Sequence, residues 1–512
     1  QGPIAPQAAF WLKPSTDHFP RVPAQAVPLT MVQCVVVVDP ISTGGSLAVG
    51  AKARGYEVVA VWNSEITPDF KAHVPPEAKG FKFHAEINEL PSVQQTAAAV
   101  REVAGAMEVV ACIVGGESGV TLADALSEEL GLRTNGAGRL PGPRRNKSVQ
   151  QQCVRAAGIR APREACGSTW ADVAVFLETE PLPVVVKPVE SAGSDGVKLC
   201  RTREEAEAHF RLLMESQRKV GSQGAAVLVQ EYLRGTEYVI DHTSRDGVHK
   251  TMMVWKYDKR PTNGAQFVYY GMVPVESDSE VAKTLIGYTR KVLDALRIEN
   301  GPTHGEVMLT DDGPCLVEMN CRCAGCDGAL APVQDALTGY SQVSVTLDAF
   351  LDEHAFAKIP DMTPSPFMGA GQLLMLVSTR TGAITGLSGY EKISALPSFV
   401  SLLPSYYVGD QLELSTDLFT IAGLVILVNS DPCALDRDIG AIRSLEQAGE
   451  LFDLAEKVSP ARGAEPYAAP LGCFAHLRAI YRQWVCSRLN SPLYAASICS
   501  CLPSSATSRT FS

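Results

Sequence analysis

The stretch HGEVMLTDDGPCLVEMNCR, residues 304–322, decides the reading of this chain. Its two apolar runs flank Asp311-Asp312-Gly313-Pro314, residue types that favour a tight turn. The segment is therefore predicted to be a β-hairpin whose first strand opens at Glu306. Glu306 then falls opposite the Glu318 end of the second strand, within one residue of register. Like charges facing each other across a strand pair are destabilising. A hard cation held by carboxylate and amide oxygens removes the conflict, and Mg²⁺ bridging phosphates is the usual case. Period-two alternation puts Glu318, Asn320 and Arg322 on one face, where Arg322 is placed to neutralise charge on a transferring phosphoryl group. An ordinary solvated hairpin is the competing reading; three polar residues closing an otherwise apolar strand argue against it.

Some 130 residues upstream, PVVVKPVESAGSDGV (residues 183–197) ends an apolar strand on Lys187. The small residues that follow, Ser191, Gly193, Ser194 and Gly196 among them, offer backbone N–H groups to anionic oxygens. No Gly-Lys-Ser/Thr follows, so this is not a Walker A loop. Lys147 in RRNKSVQQQCVRAAGI begins a helix and is a second phosphate candidate; taken alone, the Lys187 loop reads equally as a plain surface loop, and Lys147 reads as a surface lysine. VLVQEYLRGTEYVID (residues 227–241) carries Glu231, a turn at Gly235 and then Glu237, which suits an adenine amino group and ribose hydroxyls.

Bulk properties set the frame. At 512 residues the chain exceeds one compact core, so two to four domains are expected. A net charge of −11 argues against nucleic acid as partner. No apolar run reaches the roughly 18–20 residues of a membrane span; the run 421–428, IAGLVILV, has the length of a buried strand. The 14 cysteines are scattered rather than framed, which points to a reducing compartment and a cytoplasmic location.

Along the chain, residues 1–30 read as a flexible leader. Strands at 32–38, 56–62 and 109–114, with a helix in TLADALSEELG, imply a parallel, Rossmann-like α/β unit over 31–140. NGAGRLPGPRR (residues 135–145) marks a boundary. A second α+β unit follows over 141–355, with helices at 148–157, 204–218 and 279–296, strands at 184–187 and 225–232, and a lid at about 165–235. A third α+β unit covers 356–460, with strands at 373–377 and 421–428. Residues 461–512 are expected to be irregular apart from a helix near 475–488.

In order and spacing these motifs, together with GGESGVTLADALSEELGL (residues 115–132), resemble the ATP-grasp superfamily, and within it carboxylate–amine ligases similar to bacterial L-amino-acid (dipeptide) ligases. The resemblance covers roughly residues 31–350. It implies an ATP-grasp fold behind a Rossmann-like domain, with ATP and two Mg²⁺ (or Mn²⁺) ions as cofactors. Lys147 and Lys187 would contact ATP phosphates under the loop 191–196. Glu231, the backbone near Leu233, and Glu237 would hold adenine and ribose. Glu306, Glu318 and Asn320 would ligate the ions, and Arg322 would stabilise an acyl phosphate. Glu117, His304 and Tyr269 are the substrate candidates. The implied partners are a small carboxylic acid and an amine, and a homodimer is the expected assembly.

Two departures stand out. Dipeptide ligases often place a Glu and a His shortly before a proline on the substrate side, where FVYYGMVP here has Tyr269 and Met272. The metal strand also runs on as CRCAGCDG (residues 321–328). Cys321, Cys323 and Cys326 lack a fourth soft ligand for zinc, so packed thiols lining one pocket are expected. Three rivals stay open. A dinucleotide-binding dehydrogenase is disfavoured because ISTGGSLAVG is not G-x-G-x-x-G. A biotin-carboxylase-like enzyme would use the same grip on bicarbonate. A non-catalytic nucleotide-binding module would retain the grip without turnover.

Overall fold

The computed structural model describes residues 31–68, 70–136, 144–189, 196–215 and 226–455. The leader, the tail with its expected helix, and Ser191, Gly193 and Ser194 lie outside the described residues.

The first layer is a parallel sheet of β1 (Gln33–Val38), β2 (Glu57–Trp62), β3 (Ala85–Asn88) and β4 (Glu108–Val114), in the order β3-β2-β1-β4. Helices α1 (Thr43–Ala53), α2 (Val93–Ala104) and α3 (Val120–Leu130) alternate with the strands. Five of the six residues of β1 are buried, as a strand covered on both faces requires. The sequence reading passed over β3 and α2. Of the four residues of β3 only Ile87 is buried, and the buried stripe of α2, with Ala97, Val100 and Ala104, is made mostly of small residues.

Helix α4 (Lys147–Ala156) leads into a small antiparallel sheet of β5 (Glu164–Gly167), β6 (Val184–Pro188), β7 (Lys198–Cys200) and β8 (Val227–Glu231), ordered β5-β8-β6-β7. One face of this sheet (Val184, Val186, Val227, Val229) packs with Val173 of α5 (Trp170–Ala174) and with Phe210 and Leu213 of α6 (Arg203–Glu215). The other face presents Lys187 and Gln230, because successive strand residues point to opposite sides.

The largest sheet is antiparallel. It contains β9 (Gly235–Arg245), β10 (Val248–Thr262), β11 (Ala265–Val275), β12 (Gly301–Thr310) and β13 (Gly313–Asn320), and continues into β14 (Ala370–Leu376), β16 (Phe399–Pro404) and β18 (Gly423–Asn429). The order is β13-β12-β9-β10-β11-β14-β18-β16. We propose that the division at about residue 355 therefore separates two parts of one continuous sheet. Shorter strands β15 (Gly382–Gly386), β17 (Gln411–Leu412) and β19 (Asp453–Leu454) form a separate small sheet. One face of the large sheet is covered by α7 (Glu280–Ala295), whose Leu285, Ile286, Thr289, Val292 and Leu293 recur at helical spacing and are buried. Its Ser279 cap accepts from the Ala282 N–H. On the other face lie α8 (Ala331–Thr338) and α9 (Gln342–Leu351). The first layer docks there too: Leu347 of α9 shares a core with Leu47 and Ala51 of α1, and Arg54 Nη1 donates to Asp348 Oδ1 at 2.7 Å.

Two glycines are fixed by close approach. A Cβ on Gly235, where the small sheet hands over to the large one, would collide with the Leu309 carbonyl. A Cβ on Gly115 would collide with the Asp39 carbonyl, so β1 and β4 end in contact. One sequence expectation is corrected: Glu306 does not open a strand. Pairing with β9 carries β12 back to Gly301, and Glu306 lies in its middle.

Candidate active site

Glu306 and Glu318 are direct cross-strand partners in the β12–β13 hairpin, with a register shift immediately after Glu306. Neither carboxylate splays into solvent: their side chains are 19 % and 18 % exposed. Helix α4 fixes what stands against them. Gln150 bonds both backbone groups of Met319, donating to its carbonyl at 2.8 Å and accepting from its N–H at 3.0 Å, while Gln151 donates to the Leu316 carbonyl. Asn146 caps the helix by accepting from the Val149 N–H. The first helical residue, Lys147, is thereby set 3.2 Å from Glu318 Oε1. Burial raises the Glu318 pKa, Lys147 opposes the rise, and Glu306 and Glu117 add to it.

Lys187 is buried on the inner face of the small sheet and donates to Gln230 Oε1 at 3.0 Å. Burial pulls its pKa down and nearby Lys147 adds to that, against Glu164, Glu318 and Glu306. Two buried lysines thus converge on one region that also holds two carboxylates.

Arg322 lies just past the end of β13. Its Nε donates to Glu117 Oε2 at 2.9 Å and its Nη2 to Asn320 Oδ1 at 3.4 Å. Burial works against its charge, but Glu117, Glu318 and Glu306 outweigh burial and hold its pKa above the ordinary value. Glu117 comes from the turn after β4 and also faces Arg145 Nε at 3.9 Å. The first layer therefore delivers a carboxylate to the end of the metal-candidate strand. Asn320 donates to the His304 carbonyl at 3.3 Å.

His304 sits within β12. Its Nδ1 faces the fully buried Asp241 Oδ1 at 2.8 Å, and its Nε2 faces the Tyr257 hydroxyl at 3.4 Å. A carboxylate only accepts, so Nδ1 carries the proton. The one hydrogen of the Tyr257 hydroxyl is donated to Glu306 Oε1 at 3.2 Å. Lys259 lies 4.5 and 4.4 Å from the ring centres of Tyr257 and Tyr269 and donates to Glu237 Oε2 at 2.7 Å. Tyr269 is buried edge-on to Tyr257. Glu231 accepts from the Arg163 backbone N–H at 2.9 Å and pairs with the Arg163 guanidinium, and Leu233 beside it is buried. Of the glycine loop only Gly196 is described, with its carbonyl 2.8 Å from His209 Nε2.

Sequence reasoning missed Gln230, Asp241, Tyr257 and Lys259. The available signal was period-two alternation in VWKYDKR, which places Trp255, Tyr257 and Lys259 on one face. The cysteine expectation is corrected. Cys321 packs with the α7 core, Cys323 with the α1–α9 core, and Cys326 against the core containing Met253 and Trp255. They do not line one pocket, because β13 ends at Asn320 and the chain then turns. Among the described residues no three His, Cys, Asp or Glu side chains gather as a metal cluster. The oxygen set at this site is two carboxylates, with the Asn320 amide beside them.

Comparisons with known proteins bear on the domain and the fold. A family model described as the ATP-grasp domain matches residues 180–329. Dapdiamide A synthase of Enterobacter agglomerans is 29 % identical over 344 residues, covering 66 % of this chain and 79 % of that protein. The fold is shared with the L-amino acid ligase of Bacillus licheniformis (TM-score 0.62, 16 % identity, 81 % of this chain and 98 % of that one). It is shared also with the carboxyaminoimidazole ribonucleotide synthase of Aspergillus clavatus in complex with ATP (TM-score 0.58, 16 % identity, 81 % and 99 %). Matched domain and shared fold agree: residues 180–329 match the ATP-grasp domain, in a chain similar to dapdiamide A synthase and to an alanine–anticapsin ligase of Bacillus subtilis.

Proposed function

We propose that this enzyme joins a small carboxylic acid to an amine, using ATP and releasing ADP and phosphate. The observation that carries the proposal is the direct opposition of Glu306 and Glu318, with Lys147 against them. Two partly buried carboxylates in register repel each other, and one lysine partner offsets only part of that. Their hard oxygens, with Asn320 adjacent, fit Mg²⁺ or Mn²⁺ rather than a soft metal. When bound, such ions screen the charge of the triphosphate and of the phosphoryl group in flight.

The chain's own residues do the rest by positioning and charge. Lys147 and Lys187 bind the phosphates. Glu237 and the backbone near Leu233 hold ribose and adenine, and Glu231, already tied to Arg163, fixes that edge. The substrate carboxylate attacks the γ-phosphorus and ADP departs, leaving an acyl phosphate whose charge Arg322 stabilises. The amine, as its free base, then attacks the acyl carbon. Phosphate leaves with the bond electrons, and the ammonium proton passes to solvent. Glu117, His304 and Tyr269 are the candidates to contact these substrates. No covalent link to the enzyme is required.

The names of the relatives support a substrate class. One is a dapdiamide A synthase, another an alanine–anticapsin ligase of Bacillus subtilis, and a fold neighbour is an L-amino acid ligase. Amino acids or amino-acid-like acids are therefore the first candidates on both sides of the bond. The test is phosphate release from MgATP across pairs of acids and amines, with mass spectrometry of products. Phosphate and amide should appear one to one only when both partners are present. ADP formation driven by bicarbonate without an amine, or tight nucleotide binding with no turnover on any pair, would overturn the proposal.

A further inference from the structure

The inner face of the small sheet carries a row of buried polar side chains. Glu164 of β5 is in register with Gln230 of β8, and Gln230 is in register with Val185, two residues before Lys187. Glu164, Gln230 and Lys187 therefore share one face and adjoin diagonally. Gln230 Nε2 donates to Glu164 Oε2 at 2.8 Å, and Gln230 Oε1 accepts from Lys187 Nζ at 3.0 Å. All three are enclosed: Gln230 is 4 % exposed, Lys187 5 %, and the Glu164 side chain 2 %.

The chemistry allows only one orientation of this amide. A carboxylate accepts and does not donate, and an ammonium donates and does not accept. The Gln230 NH₂ must face Glu164, and its oxygen must then face Lys187. Both flanks enforce the same amide plane, and Arg155 Nη2 holds the far side of Glu164 at 3.6 Å. A lysine side chain gives up substantial rotamer freedom when fixed. A solvated lysine would have to be ordered each time nucleotide arrives, whereas this one is already placed. Its neighbour Lys147 is directed to Glu318.

We propose that Gln230, oriented by Glu164, is the positioning residue for Lys187, holding its ammonium ready for a nucleotide phosphate. This inference rests on the ATP-binding reading above and deepens it. Gln230 itself touches neither nucleotide nor substrate; it acts through Lys187.

The experiment measures ATP affinity by calorimetry for wild type, Gln230→Met, Lys187→Ala and the double variant, with thermal stability and steady-state kinetics alongside. Methionine keeps the length and volume of glutamine and removes both polar contacts. Gln230→Met is expected to weaken ATP binding about tenfold, the worth of one hydrogen bond to a charged group. KM for ATP should rise while KM for acid and amine stays unchanged. In the double variant the loss should equal that of Lys187→Ala alone, because Gln230 then has nothing to hold. Wild-type affinity in Gln230→Met, or losses that simply add in the double variant, would overturn the inference. Should Gln230→Met fail to fold, Glu164→Gln replaces it: the acceptor is kept but the enforced orientation is lost, and a smaller loss in ATP affinity alone is expected. Unchanged affinity there refutes the relay. Absence of ATP binding by the wild type would refute the proposed function instead, so the two failures are distinguishable.

Discussion

Lys147, the first residue of its helix, lies 3.2 Å from Glu318, the carboxylate that faces Glu306 across a strand pair. A helix N-terminus and a buried ammonium thus approach the same pair of acids from one side. Positive potential from the helix end and from the lysine makes the site ready for a phosphate as well as for a cation.

Glu318→Gln is expected to lower MgATP turnover by about a hundredfold or more, the scale on which ionic transition-state contacts act. Burial raises the Glu318 pKa, so a neutral amide of the same shape suits the position, and circular dichroism and Tm should remain close to wild type. Near-normal turnover would remove the metal assignment.

Lys187→Ala should raise KM for ATP and lower kcat, together about 10²- to 10³-fold in kcat/KM, as for loss of a preorganised charge at a phosphate. Steady-state kinetics with ATP varied at saturating acid and amine reads it. An unchanged constant would make the lysine a structural element of the small sheet.

Glu117→Gln separates binding from chemistry. Glu117 holds Arg322 at 2.9 Å and comes from the first layer. Its loss should lower kcat by about tenfold or more while leaving the calorimetric Kd for ATP unchanged. A shift in ATP affinity with kcat intact would place Arg322 on the ground-state nucleotide.

Asp39→Asn addresses stability rather than activity. Burial pushes the Asp39 carboxyl from its ordinary 3.8 up to about 6, although Ser118 and the Asn63 N–H bond to it at 2.6 and 2.7 Å. A raised carboxyl pKa means the folded state binds more protons than the unfolded chain between these values. Stability therefore falls as pH rises from about 4 to about 6, by up to about 3 kcal/mol. Asparagine removes that cost and can still accept from Asn63 and donate to Ser118. Urea unfolding at pH 7.5 and pH 4.5 should show a gain at the higher pH that shrinks at the lower. An equal change at both would refute the assignment.

Much of this molecule is written in local pattern. The apolar run of β1, the alternation of β13, the turn residues 311–314 and the spacing of α7 are nearest-neighbour properties, and they identify their elements with ends off by a few residues. The Glu306–Glu318 opposition was legible because a short hairpin fixes its own register. The short β3, with one buried residue, and α2, whose buried stripe is mostly alanine, were passed over. What the tertiary structure alone decided is which distant groups meet: Glu117 with Arg322, Asp241 with His304, Lys259 with Glu237, Gln230 with Lys187. Lys259 and Glu237 sit on consecutive strands of one hairpin, but the other pairs join strands or layers whose order no local period encodes, and burial in a shared low-dielectric space turns these separate polar residues into one site. The three cysteines make the same point in reverse, adjacent in sequence yet parted into different cores where the strand ends and the chain turns.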